Sequence, residues 1–164
     1  MSAVLLLALA AIGVILLVNL SSNSQASELQ SQMPTPPNAV VGAIAIAIAT
    51  AEGFFTGAGS VPFDQNNPGD LTDYADLYGA NANGITIFPS IEAGWNALYE
   101  KIQNILSGAS SVYSPDMSLS ELGAIWSGGD SNWASNVAAA LGTSTDTTLG
   151  DYAAANSDTS DGSD

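Results

Sequence analysis

The sequence predicts a mainly α domain with a small β-hairpin, an α+β fold, preceded by an N-terminal transmembrane helix. Three observations lead there. Apolar residues recur at helical spacing in four blocks, most of them with a capping residue at the start. Only Ile85-Thr86-Ile87-Phe88, following Asn83-Gly84, has the short strand-like character of a hairpin arm. Charge is unevenly placed: Glu28 alone is charged before Glu52, and a hydrophobic run occupies the extreme N-terminus.

That run, Ala3 to Leu20, is interrupted only by Gly13 and Asn19 and is long enough for a short bilayer-spanning helix. No Lys or Arg flanks it, so charge gives no orientation. Ser24-Gln25-Ala26 resembles the small-x-small site of a cleaved signal, but the basic start of a signal peptide is missing, and residues 1–20 read as a retained anchor ahead of a signal. Residues 21–38 are rich in Ser, Gln and Asn and end in Pro34-Thr35-Pro36-Pro37, the composition of an extended tether. Residues 39–152 form the predicted domain, and 153–164 read as a disordered acidic tail.

Within the domain, Asn38 is placed to cap a helix over Ala39 to Ala51. Ile44-Ala45-Ile46-Ala47-Ile48 alternates as a strand does, but the alanine content and length favour a helix apolar on all sides, hence buried. From Gly57 to Gly84 turn chemistry dominates, in Asn66-Asn67-Pro68-Gly69-Asp70 and Asn81-Ala82-Asn83-Gly84. An amphipathic helix follows, capped by Ser90, with Ile91, Trp95, Leu98, Ile102 and Ile105 on one face and an end near Gly108. Ser118-Leu119-Ser120-Glu121 is a capping box for a helix through Trp126. Asp130 is expected to cap a helix over Ser131 to Leu141, closed by Gly142, and Thr147 to Tyr152 adds one more turn.

Composition excludes several function classes. One Lys, no Arg and 16 Asp and Glu among 164 residues give a formal net charge of −15, which excludes phosphate-backbone binding and so nucleic acid as a partner. With neither Cys nor His, there are no disulfides, no zinc sites of the usual ligands, no Cys nucleophile and no Ser–His triad. The chemistry left uses carboxylates, hydroxyls, amides or the backbone. Glu52 stands out at the end of the buried helix, i+4 from Ile48. Apolar neighbours and the negative end of the helix dipole both raise a carboxyl's pKa there, favouring a general acid. From the residue alone, a Glu emerging into solvent is the plainer reading.

Certain residues in order carry a resemblance: Ala51-Glu52-Gly53-Phe54, Asn66-Asn67-Pro68-Gly69-Asp70-Leu71, Gly84-Ile85-Thr86-Ile87-Phe88-Pro89-Ser90, Glu92-Ala93-Gly94-Trp95-Asn96-Ala97-Leu98 and Asn136-Val137-Ala138-Ala139-Ala140-Leu141-Gly142. Over residues 43 to 152 the chain resembles small lysozyme-like, lytic transglycosylase-type proteins of bacteriophages and bacteria. The resemblance implies that Glu52 is the catalytic acid and that Gly84 to Phe88 lies along a substrate cleft. It makes Asn67, Asp70, Gly84, Ile85, Thr86 and Phe88 the expected substrate-binding residues. Ile87 stands near the family's Gln, Asp70 where Asn is usual and Asp64 where Arg is expected.

The implied reaction cuts the β-1,4 bond between N-acetylmuramic acid and N-acetylglucosamine in peptidoglycan. A lysozyme adds a second carboxylate, whereas a transglycosylase can reuse one Glu as acid and then base. Asp64, Asp70, Asp73 and Asp76 are the second-carboxylate candidates, each reading more simply as a solvated loop acid. Asp70, Asp73 and Asp76 match no standard calcium loop; no metal or other cofactor is expected. Trp95, Trp126 and Trp133 read as core residues. The expected partners are peptidoglycan strands and a lipid bilayer contacted by residues 3–20. The expected location is the virion membrane of a phage or the bacterial cell envelope. The alternative is a non-catalytic virion or envelope structural protein of the same fold.

Overall fold

The computed structural model of the chain describes residues 32–157. The hydrophobic run at 3–20, tether residues 21–31 and tail residues 158–164 lie outside the described residues. Among the described residues no helix is long and apolar enough to cross a membrane. The domain is mainly α. Its helices are α1 (Ala39–Ala51), α2 (Val61–Asp64), α3 (Ala75–Tyr78), α4 (Ile91–Leu106), α5 (Leu119–Trp126), α6 (Trp133–Leu141) and α7 (Leu149–Ser157), with a 3-10 turn at Phe54–Thr56.

The central element is α1. Asn38 Oδ1 accepts the Val41 N–H at 2.9 Å, satisfying one of the free donors of the first turn. Alternating Ile and Ala at 44–48 resolves as helix because burial is needed on nearly every face: Ile44, Ala45, Ala47, Ile48 and Ala49 are all buried. Small alanines let neighbouring helices approach, and α1 packs against both α6 and α4. The apolar stripe of α4 (Trp95, Leu98, Ile102 and Ile105) is fully buried. Trp95 meets Phe54 edge to face at 5.5 Å, a favourable ring arrangement.

The capping box at Ser118 forms in full, with Glu121 accepting from the Ser118 N–H at 2.9 Å and Ser118 Oγ from the Glu121 N–H at 3.2 Å. Ser90 Oγ likewise accepts the Ala93 N–H, at 3.1 Å. Gly142 closes α6 in the left-handed region, at φ 67°.

The structure differs from the sequence reading in several places, and the first is that 57–84, read as turns, also holds the short helices α2 and α3. The expected hairpin contracts to one antiparallel bridge, Ala80 with Thr86. Its backbone donors are shared out: Thr86 N–H donates to Leu71 O, Ile87 N–H to Gly79 O and Phe88 N–H to Gln65 O. A segment whose donors go to three different places cannot build a ladder with one partner. Helix α6 begins at Trp133, because Asp130 Oδ1 accepts from the Asn132 N–H and shapes a turn instead of capping a helix at Ser131. Helix α7 runs to Ser157, past the predicted boundary at 152, with Tyr152 buried and Ala153 packed on the core.

The tether also ends earlier than position 38. Met33 packs on the core and Tyr99 Oη donates to Pro34 O at 3.1 Å. Residues 33–38 therefore belong to the domain, held by contacts with α1 and α4 that no local pattern announces.

Gly94 decides how closely α4 approaches the 66–69 turn. A Cβ there would sit 1.8 Å from Asn66 O, which is backbone and cannot move aside cheaply. Gly94→Ala is expected to cost more than about 3 kcal/mol in urea denaturation, by forcing α4 off the turn.

Candidate functional site

The site is assembled at the C-terminal end of α1. Glu52 caps that helix at φ −74° and ψ −10°, its N–H donating to Ile48 O. Gly53, at φ 80°, then turns the chain into the 3-10 turn and leaves the Glu52 side chain at the corner. Trp133, the first residue of α6, donates its Nε1–H to Glu52 Oε1 at 2.7 Å. Trp133 is 2% exposed, so this bond is sheltered from water. Its ring fits beside α5 because residue 123 is glycine: a Cβ there would lie 2.8 Å from Trp133 Cε3. Trp126 stacks on Trp133 with centroids 5.8 Å apart and an interplanar angle of 27°. Trp126 Nε1–H donates to Gly69 O at 3.0 Å, tying α5 to the turn that precedes Asp70.

Burial pushes the Glu52 carboxyl up to about 7, from an ordinary 4.5. The Trp133 hydrogen bond opposes this by favouring the carboxylate, and the Trp126 N–H acts in the same direction. The charges of Asp70 and Asp130 raise the value further. Desolvation is the largest contribution, so the acid is neutral or half-ionised near pH 7.

Asp70 is the second carboxyl of the site. It occupies the left-handed region at φ 50°, which Asp tolerates better than most residues. Its Oδ1 is buried without a hydrogen-bond partner, and burial raises its pKa as well. A buried acid whose proton affinity is raised further by a second carboxylate is an arrangement by which a site holds a proton at neutral pH.

The other expected site residues are placed differently. Asn67 is fully buried. Its Nδ2 donates to Leu71 O and Thr86 O, both at 2.9 Å, and its Oδ1 accepts the Leu71 N–H at 2.8 Å. Every one of these groups is committed within the protein, so Asn67 is a brace of the turn and not a substrate contact. Thr86 is fully buried and Phe88 is 2% exposed, so neither side chain reaches a ligand in this conformation. Phe88 packs between Tyr74 and Tyr78. Gly84 is exposed at the loop tip and Ile85 is half-buried.

Of the remaining loop acids, Asp64 accepts from the Gly59 N–H, and Asp73 pairs with Lys101. Among the described residues no group of three or more acids converges to hold a metal, so the spacing of Asp70, Asp73 and Asp76 does not become a cation cage.

What sequence reasoning missed is the hydrogen bonding of Trp126 and Trp133, which it weighed only as core residues or as platforms for sugar rings. Trp133 is core and Trp126 packs half-buried against it, and both also aim an indole N–H at an acceptor in the site. The available signal was chemical: a buried indole N–H usually finds a partner, as Trp133 does at Glu52 and Trp126 at Gly69, whereas Trp95 Nε1 is buried without one.

Asn67→Ala is expected to lower stability by about 2–4 kcal/mol in urea denaturation, by stranding buried backbone groups at Leu71 and Thr86. A second expectation concerns Glu52. Between about pH 4.5 and about 7 the folded protein keeps a proton on Glu52 that the unfolded chain has released. Stability therefore falls as pH rises through that window, by at most about 3 kcal/mol for this shift. Gln cannot ionise, so Glu52→Gln should match the wild type near pH 4 and exceed it at pH 8.5 in urea midpoint at unchanged slope. Equal stability of the two proteins at pH 8.5 would contradict the raised proton affinity.

Compared with protein-family models, with curated proteins and with solved structures, the chain matches none of them.

Proposed function

We propose that the protein is a membrane-anchored glycosidase that cuts the β-1,4 bond between N-acetylmuramic acid and N-acetylglucosamine in peptidoglycan, with Glu52 as its acid. The observation that carries this reading is the Glu52 carboxyl, pushed up to about 7 and held at Oε1 by the Trp133 N–H. A glycosidic oxygen is a poor leaving group unless protonated, and an acid that is partly protonated near neutrality suits that task.

With Oε1 accepting from Trp133, Oε2 is the oxygen free to carry the proton. Oε2 gives it to the leaving oxygen as the bond to the sugar's anomeric carbon breaks and positive charge builds on the ring. The resulting Glu52 carboxylate is stabilised by the Trp133 N–H that already faces it. In the transglycosylase course, Glu52 then removes the proton of the sugar's own C6 hydroxyl as that oxygen attacks the anomeric carbon, closing a 1,6-anhydro ring. In the hydrolase course, water attacks instead, and Asp70 is the carboxyl placed to stabilise the ring charge or activate the water.

Residues 3–20 would hold the domain at a bilayer, in a phage virion membrane for wall penetration or in a bacterial envelope for wall remodelling. Tethering would offset the repulsion between a −15 protein and an anionic wall by raising local concentration.

The test is mass spectrometry of purified peptidoglycan treated with the full-length chain in detergent micelles, beside Glu52→Gln and Asp70→Asn. Anhydro-muropeptides that vanish in Glu52→Gln and persist in Asp70→Asn are the expected transglycosylase result. Reducing-end products lost in both variants would identify a hydrolase that uses both carboxyls. In either case turnover should fall as pH rises above about 7, where Glu52 loses its proton. Co-sedimentation with the wall and no release of product by folded protein, over a range of salt, would overturn the enzyme reading in favour of a structural glycan-binding role.

A further inference from the structure

Lys101 is the chain's single lysine or arginine, and its placement is specific. It lies in the C-terminal half of α4 with a side chain only 13% exposed and is ion-paired with Asp73. Its Nζ stands 5.0 Å from the Tyr113 ring centroid and 5.2 Å from that of Trp126. The ammonium thus lies near two aromatic faces, beside a cavity of about 370 Å³ whose lining includes Asp73, Tyr74, Asn104 and Tyr113. A partly desolvated cation on an indole face is attracted by the ring's negative face. Trp126 also stacks on Trp133, whose N–H reaches the Glu52 carboxyl. The whole path runs through touching groups, from Asp73 to Lys101, Trp126, Trp133 and Glu52.

We propose that Lys101 is a positioning residue for Glu52: anchored by Asp73, it clamps the Trp126 indole and thereby keeps the Trp133 N–H on the Glu52 carboxyl. The catalytic consequence rests on the glycosidase reading, but the clamp itself does not. Trp126 and Trp133 have their own packing, so the clamp supplies orientation and not attachment. The remaining groups that face Glu52 are Asp70 from the 66–70 turn and Asp130 from the turn before α6. Both are acids, and neither lies on the path to Lys101. Releasing the clamp weakens the one short hydrogen bond that favours the ionised form, so Glu52 should hold its proton to higher pH.

The experiment is a pH titration of the glutamate side-chain carbons by ¹³C NMR on the full-length chain in detergent micelles, with Glu52 assigned by Glu52→Gln. Lys101→Met is expected to raise the Glu52 midpoint by about half a unit or more, and Lys101→Arg to leave it near the wild-type value. Loss of a positive charge acting through space would also raise it, so the decisive comparison uses a Trp133→Phe background. There the Trp133 bond is absent, and the Lys101→Met shift should shrink to what the lost charge and the Trp126 N–H contribute. A shift that persists undiminished, or no shift in the single variant, overturns the proposal.

Asp73→Asn supplies an independent sign at a half-exposed position and serves if Lys101→Met does not fold. Removing a negative charge through space lowers the Glu52 midpoint, whereas releasing Lys101 raises it. A rise supports the clamp, and a fall or no change overturns it. The expected titrations with uncut peptidoglycan would leave the clamp standing and remove the glycosidase reading. Cleavage by a protein whose Glu52 ignores Lys101 would remove the clamp alone.

Discussion

The bond between the Trp133 indole and the Glu52 carboxyl is the contact around which the rest of the site is organised. It joins the C-terminal end of α1 to the first residue of α6, two elements that are far apart in sequence and pack closely in space. A carboxyl moved from water to such a place loses hydration, and one good N–H donor recovers only part of it. The remainder appears as proton affinity: the group responds by staying neutral to higher pH than an exposed glutamate. Stability and proton affinity are therefore linked at one residue, since the ionised form is the one that strains the fold.

The second carboxyl reaches the site through a different device. The Asn66-Asn67-Pro68-Gly69 turn is pinned from three directions: by the buried Asn67 amide, by the close approach of Gly94 and by the Trp126 N–H on Gly69 O. These constraints hold Asp70 in a left-handed conformation, within range of its charge acting on Glu52. The residues that a family resemblance marked for substrate divide accordingly. Asp70 lies close enough for its charge to act on Glu52, while Asn67, Thr86 and Phe88 are buried in the protein interior. Polar residues in a turn serve either purpose, and burial separates the two.

The acidic surface and the single cation belong to one account. With 16 acids and one Lys, nearly every carboxylate must be satisfied by water or by backbone N–H groups, as at Ser118 and Gly59. The lone ammonium is set between Asp73 and two aromatic rings, where low exposure protects it from screening.

The sequence by itself determined α1, α4, α5 and most of α6, because their information is local. Asn38, Ser90 and Ser118 cap as their side chains dictate, Gly142 ends α6, and the apolar periodicity of α4 is the face that is buried. It also marked Glu52, since a lone acid closing an apolar helix is visible in one dimension. Tertiary structure decided the rest. Whether 85–88 forms a ladder depended on where its N–H groups found acceptors, at Leu71, Gly79 and Gln65, which no local pattern encodes. The docking of Met33 and Pro34 and the reach of α7 to Ser157 depended on surfaces contributed by other elements. The partners of Glu52 come from positions 70, 126, 130 and 133, and only packing brings them within range of its charge. Desolvation and hydrogen bonding act over a few ångströms of space, and sequence spacing carries no measure of that distance.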